Sequence, residues 1–161
     1  MFQFLEYIES TGIATWVRES PSIFAYTLVL SLHAIGLSIV VGVSVMLAVR
    51  ILGRFEQIPL QPMLKLYPLM YLGFWINAIS GLLLLAANAT GMLTMVMFYI
   101  KMTFVIAAVL TLGLIRGRLA EHAGQSEPRG LAYALLGFWF VAIVAGRLTS
   151  YPYFVAEWLG I

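Results

Sequence analysis

The sequence predicts an all-α integral membrane protein, an antiparallel four-helix bundle with an interfacial helix at its N-terminus. Three observations carry that expectation. The 161 residues are 62% hydrophobic and 10% charged, where a soluble domain carries about 25% charged residues, and the mean hydropathy is +0.98. Such a chain lacks the polar side chains to cover a surface in water, so it must face lipid. The apolar residues are gathered into four runs, each long enough as a helix to cross a hydrocarbon core of roughly 30 Å. Connections between the runs are short, so each span must turn back beside the last, giving an up-down-up-down order in one domain over residues 1–161.

Composition narrows the chemistry. Without cysteine there is no disulfide, thiolate metal site or cysteine nucleophile. There is no aspartate either; all seven acids are glutamates. The net charge of +2 comes without the basic cluster that nucleic acid requires. The opening MFQFLEYIES has no basic segment ahead of an apolar one, and reads as mature protein rather than a signal peptide.

Residues 1–19 are too interrupted by charge to span. Leu5, Ile8, Gly12 and Trp16 share a helical face beside Glu6 and Glu9, which predicts a short helix lying in the interface with Trp16 as its anchor. Ser20 and Pro21 read as an N-cap followed by proline at the first helical position. The first span, about 22–52, contains SLHAIGLSIVVGVSVMLAVRILG and would be about 45 Å long. A polar turn over 53–66 leads to a second span at 67–87. A short connection, 88–91, precedes a third span at 92–115. The most polar loop, RGRLAEHAGQSEPRG at 116–130, leads to a fourth span at 131–148. The tail carries Tyr151, Tyr153 and Trp158, residue types that favour the interface. Arg50, Arg54, Lys65, Arg116, Arg118 and Arg129 flank the loops after spans one and three. Arg18, Lys101 and Arg147 lie toward the other side. That bias places both termini outside, in the periplasm if the membrane is the bacterial inner membrane.

Four residues inside the spans are candidates for chemistry. A histidine in hydrocarbon needs a partner. His33 shares its helix face with Gly36, Val40 and Ser44, and imidazole is a common ligand of haem iron. A buried neutral histidine bonded to a carbonyl or hydroxyl of another helix is the alternative. Asn77 lies on a stripe with Gly73, Ser80, Gly81 and Asn88, fit either to glue two helices together or to line a pocket. Lys101 continues through Ala108 and Thr111 on its face; it either snorkels to the headgroups or pairs with an anion. Arg147 ends the fourth span. His33, Lys101 and Arg147 fall at similar depth on three helices, and no span holds an acid to neutralise them, which points to an anionic guest. Met92, Met95, Met97 and Met102 offer thioethers of the kind that bind Cu(I), or ordinary apolar filling. His122 in the polar loop reads as a solvated residue.

The segments LHAIGLSIVVG, VRILG, FWINAISGLLL, FYIKMTFVIAAVL and AGRLTSY together resemble an uncharacterised family of small four-span bacterial membrane proteins, from about residue 31 to 151. That resemblance implies fold and membrane location. A lesser likeness is to the membrane protoporphyrinogen oxidase family, which binds haem b; His33, Arg50 and Lys101 stand at its matching positions. The interval from His33 to Arg50 is longer here, and Phe98 or Tyr99 stands where that family has tryptophan. The copper-resistance membrane domain family is similar in its histidine-bearing first span, with the methionine cluster as added support.

The expectation that follows is a membrane redox or electron-transfer protein holding one haem b, with His33 on the iron, Lys101 and Arg147 on the propionates and Asn77 lining the pocket. Its rivals are a non-catalytic subunit of a larger membrane complex or homo-oligomer, and a copper-handling protein. For the subunit, Ser31, Ser38 and Gly42 form a second small stripe on the first span.

Overall fold

A computed structural model describes residues 2–121 and 128–151. His122, Tyr153 and Trp158 lie outside the described residues. The described chain is helical, with no strand among the described residues. The elements are α1 (Phe2–Glu9), α2 (Gly12–Glu19), α3 (Tyr26–Ile51), α4 (Leu60–Leu64), α5 (Tyr67–Ala87), α6 (Ala89–Leu93), α7 (Val96–Glu121) and α8 (Arg129–Leu148). Four stretches are long and apolar enough to cross a membrane: Tyr26–Ile51, Pro62–Ala87, Val96–Leu119 and Arg129–Leu148. Large apolar side chains such as Ile35, Leu72, Trp75, Leu82, Leu110 and Phe140 point outward along them. In water that surface would be prohibitive; in lipid it is the ordinary exterior. The fold class is the one the sequence predicts, an all-α membrane protein.

The boundaries differ from expectation where hydroxyl groups intervene. The N-terminal segment forms two helices rather than one. Ser10 and Thr11 donate their hydroxyls to the carbonyls of Tyr7 (2.8 Å) and Ile8 (2.7 Å), ending α1 by the side-chain competition that serine and threonine favour. The first span starts at Tyr26 instead of about 22. The Phe24 amide donates to the Ser22 hydroxyl at 3.2 Å and the Ala25 amide to the Ser22 carbonyl at 3.0 Å, so a turn precedes the helix. The 26 residues of α3 then measure about 39 Å. At the other extreme α7 runs on to Glu121, beyond the apolar run, through Arg116, Gly117, Arg118, Leu119, Ala120 and Glu121, all but the glycine good helix formers.

Chain contacts divide the fold into two units: Met1–Val40 with Pro68–Thr94, and Val41–Tyr67 with Met95–Ile161. In the first unit, the opening half of α3 runs antiparallel to α5. Val17, Val29, Leu84 and Ala87 form a buried cluster, with Leu83 against it. The N-terminal helices are tied to the end of α5 and to α6 by two charged groups. Arg18 donates to the Ala87 carbonyl (3.3 Å), and the Thr90 amide donates to Glu9 Oε1 (2.6 Å). Leu5, Ala14 and Val17 are buried while Trp16 is 49% exposed, the arrangement expected of an interfacial anchor.

In the second unit, α7 packs along α8, with the Phe104 and Phe138 rings 5.8 Å apart. Leu47, Ile51, Ile115 and Leu135 are fully buried. The Tyr67 hydroxyl donates to the Leu112 carbonyl (3.1 Å), and the Arg116 guanidinium lies 5.3 Å above the Tyr67 ring. Arg50 donates to the Ile58 carbonyl, tying the polar turn back to the end of α3.

Candidate functional site

The candidate site lies in the first unit, where α3 and α5 cross. Glycine makes the crossing possible. A Cβ on Gly36 would stand 2.6 Å from the Asn77 nitrogen and 2.7 Å from the Gly73 oxygen, and one on Gly73 would stand 2.7 Å from Ile39 Cγ2. The two backbones therefore touch, as helices in membranes do where small residues meet.

His33 sits one turn before Gly36 and is held by the same contact. Its Nδ1 lies 2.9 Å from the Asn77 backbone carbonyl. A carbonyl only accepts, so Nδ1 carries the proton and Nε2 the lone pair. In return the Asn77 side-chain amide donates to the His33 backbone carbonyl at 2.8 Å. The Ser80 hydroxyl is 3.3 Å from Nδ1 and donates to the Ile76 carbonyl at 2.5 Å. The imidazole edge lies on Gly81, where a Cβ would be 3.0 Å from Cε1. Three positions of the predicted α5 stripe, Asn77, Ser80 and Gly81, thus converge on one ring. Gly36, Val40 and Ser44, expected on the His33 face, are all buried.

The arrangement can do two things. It satisfies a polar side chain in an apolar setting, the partner every intramembrane histidine needs. It also fixes one tautomer and one ring orientation, as a proton-donating Nδ1 bonded to a carbonyl does for histidines that ligate metals.

Lys101 and Arg147 belong to the second unit. The Lys101 stem lies across Gly146, with Cδ 3.4 Å and Cε 3.6 Å from where a Cβ would be. Arg147 is exposed. It donates to the Tyr151 hydroxyl at 3.0 Å, and its guanidinium lies 5.3 Å from that ring's centre. The structure therefore joins His33 to Asn77 and places Lys101 beside the residue that precedes Arg147, the two pairs in different units. The methionines are divided as well: Met92 is in α6 of the first unit, while Met97 is buried and Met102 is 39% exposed in the second. Among the described residues no group of three or more histidine, aspartate or glutamate side chains is placed to hold a metal ion.

Two features escape a reading of the sequence. The Arg18 and Glu9 ties bridge distant segments and leave no local signal. Trp139 is 3% exposed, and its indole N–H has no hydrogen-bond partner among the described residues.

Fold and site together define a small membrane protein with four span-length helices among the described residues, whose first unit holds a hydrogen-bonded imidazole. No protein-family model matches the chain, and neither a curated protein nor a solved structure matches it.

Proposed function

We propose that this chain is a membrane haem protein of the bacterial inner membrane, with His33 as the axial ligand of one b-type haem in an electron-transfer role. The observation that carries the reading is the 2.9 Å contact between His33 Nδ1 and the Asn77 carbonyl. With the proton on Nδ1, the lone pair that would meet iron is on Nε2, which lies 3.5 Å from the Asn77 side-chain amide nitrogen, and Asn77 and Ser80 together orient the ring. Bound haem supplies one-electron redox chemistry. The protein's part is to hold the imidazole in one tautomer and to keep its ring against Gly81. The reading rests on the first unit alone. Both termini face the periplasm in this account, because the lysine and arginine bias of the loops follows the positive-inside pattern; a reporter fused at Gly124 would be active only in the cytoplasm.

The test is an absorption spectrum of the protein purified in detergent from haem-replete cells. A Soret band in the wild type that is lost in His33→Ala, with the helical circular dichroism kept, is the expected result. A colourless wild type overturns the proposal.

A second reading, a non-catalytic subunit of a larger membrane complex or of a homo-oligomer, is favoured by one observation. Ser31, Ser38 and Gly42 are exposed along α3, and among the described residues no neighbouring element comes within 4 Å of a Cβ built on Gly42. That face admits another helix closely. Co-purification of a stoichiometric partner with a colourless chain would favour it.

A further inference from the structure

We infer that Lys101, Arg147 and Tyr151, in the second unit, form a binding site for the phosphate of an anionic lipid headgroup. The inference is independent of haem at His33.

Lys101 is the sixth residue of α7, inside a stretch long and apolar enough to span. Its stem is laid across Gly146 of α8, with Cδ 3.4 Å and Cε 3.6 Å from where a Cβ would be. Gly146 has no side chain to block that path. The ammonium has no ion pair or hydrogen bond among the described residues. A lysine charge beside hydrocarbon is costly without an anion or a route to the headgroups.

The next residue on α8 is Arg147. Its guanidinium is steadied by the Tyr151 hydroxyl at 3.0 Å and by the face of the same ring. Arg147 and Tyr151 are exposed, so a ligand reaches them from the lipid. Among the described side chains of this unit the one glutamate is Glu56. It lies beside Gly53 together with Arg129, and Arg129 begins α8. From Arg129 to Arg147 along that helix is about 27 Å, far beyond the reach of an ion pair. The lysine of α7 therefore packs its stem on the α8 residue next to Arg147, and no glutamate among the described residues of this unit lies near either cation.

The chemistry selects a phosphate. A guanidinium offers paired donors to its oxygens, an ammonium adds a point charge, and a tyrosine hydroxyl adds a polar contact at headgroup level. A lipid is the source to which the exposed Arg147 and Tyr151 are open from the side.

The test uses the full chain purified in detergent and exchanged into nanodiscs of phosphatidylcholine containing phosphatidylglycerol, with retained lipid counted by native mass spectrometry. Wild type is expected to retain phosphatidylglycerol over phosphatidylcholine. Lys101→Met and Arg147→Gln are each expected to weaken that preference about fivefold, the effect of one basic residue at a lipid surface. Lys101→Arg should keep it. Arg147→Gln alters an exposed position and keeps the test open if Lys101→Met does not fold. Unchanged retention in Arg147→Gln and Lys101→Met overturns the inference. So does full displacement of the lipid by millimolar inorganic phosphate, which would mark a site for the free anion.

Discussion

Substituting Gly36 by alanine is the sharpest perturbation of the helix crossing that holds His33. The new Cβ would meet the Asn77 nitrogen at 2.6 Å and the Gly73 oxygen at 2.7 Å, where ordinary contact begins at 3.4 Å. Both obstacles are backbone and cannot rotate away. The helices must part by about 0.8 Å, the shortfall between 2.6 and 3.4 Å. The same displacement takes the His33–Asn77 contacts from 2.9 and 2.8 Å to about 3.7 and 3.6 Å, outside hydrogen-bond range. Overpacking of this kind costs about 1–3 kcal/mol, and two lost interhelical hydrogen bonds add about 0.6 kcal/mol each. Relative to a glycine-to-alanine change that meets nothing, the expected loss is therefore about 2–4 kcal/mol. Unfolding with sodium dodecyl sulfate from mild-detergent micelles, followed by circular dichroism, measures it. Gly113→Ala and Gly137→Ala are the controls. Both glycines are helical, and among the described residues neither Cβ would meet a neighbouring element within 4 Å. They should lose nothing, and helix propensity favours a gain of up to about 1 kcal/mol. If Gly36→Ala is as stable as Gly113→Ala, the close crossing and all that rests on it are refuted.

Other outcomes follow from the same contacts. A double-mutant cycle of His33→Phe and Asn77→Leu should give a coupling of about 0.6–1.7 kcal/mol, the range for hydrogen bonds between membrane helices; additivity would mean the two side chains act separately. Trp139→Phe removes a buried donor that has no partner among the described residues, so stability should hold or rise by about 1 kcal/mol; a clear loss in the same unfolding assay would mean the indole N–H is bonded. Glu9→Ala removes the acceptor of the 2.6 Å bond from the Thr90 amide. It should free α1 from α6 and speed proteolytic nicking near Ser10, while the span-length helices stay protected; an unchanged cleavage rate would show that Leu5 and Ala14 alone hold the segment.

Hydropathy and loop spacing make the all-α membrane class legible in the sequence, and the second span is placed at Tyr67–Ala87 by both routes. The start of α3 is not legible, because a serine four residues ahead competes for the backbone amides. Nor is the break between α1 and α2, set by hydroxyls that read equally well as interfacial residues. At the site, Asn77, Ser80 and Gly81 announce themselves as a stripe at helical spacing, and His33 by its rarity in an apolar run. What the stripe cannot convey is that the histidine's partner is a backbone carbonyl, since every residue has one. Depth along a span is similarly blind to which helices pair. His33 joins Asn77 in one unit, whereas Lys101 and Gly146 meet in the other.

The most direct measurement is the ratio of haem to protein in the detergent-purified chain, by pyridine haemochrome against amino-acid analysis. The account predicts about one haem per chain in the wild type, and a ratio near zero in His33→Ala that still folds. A folded wild type without haem, or a His33→Ala variant that keeps it, would contradict the account.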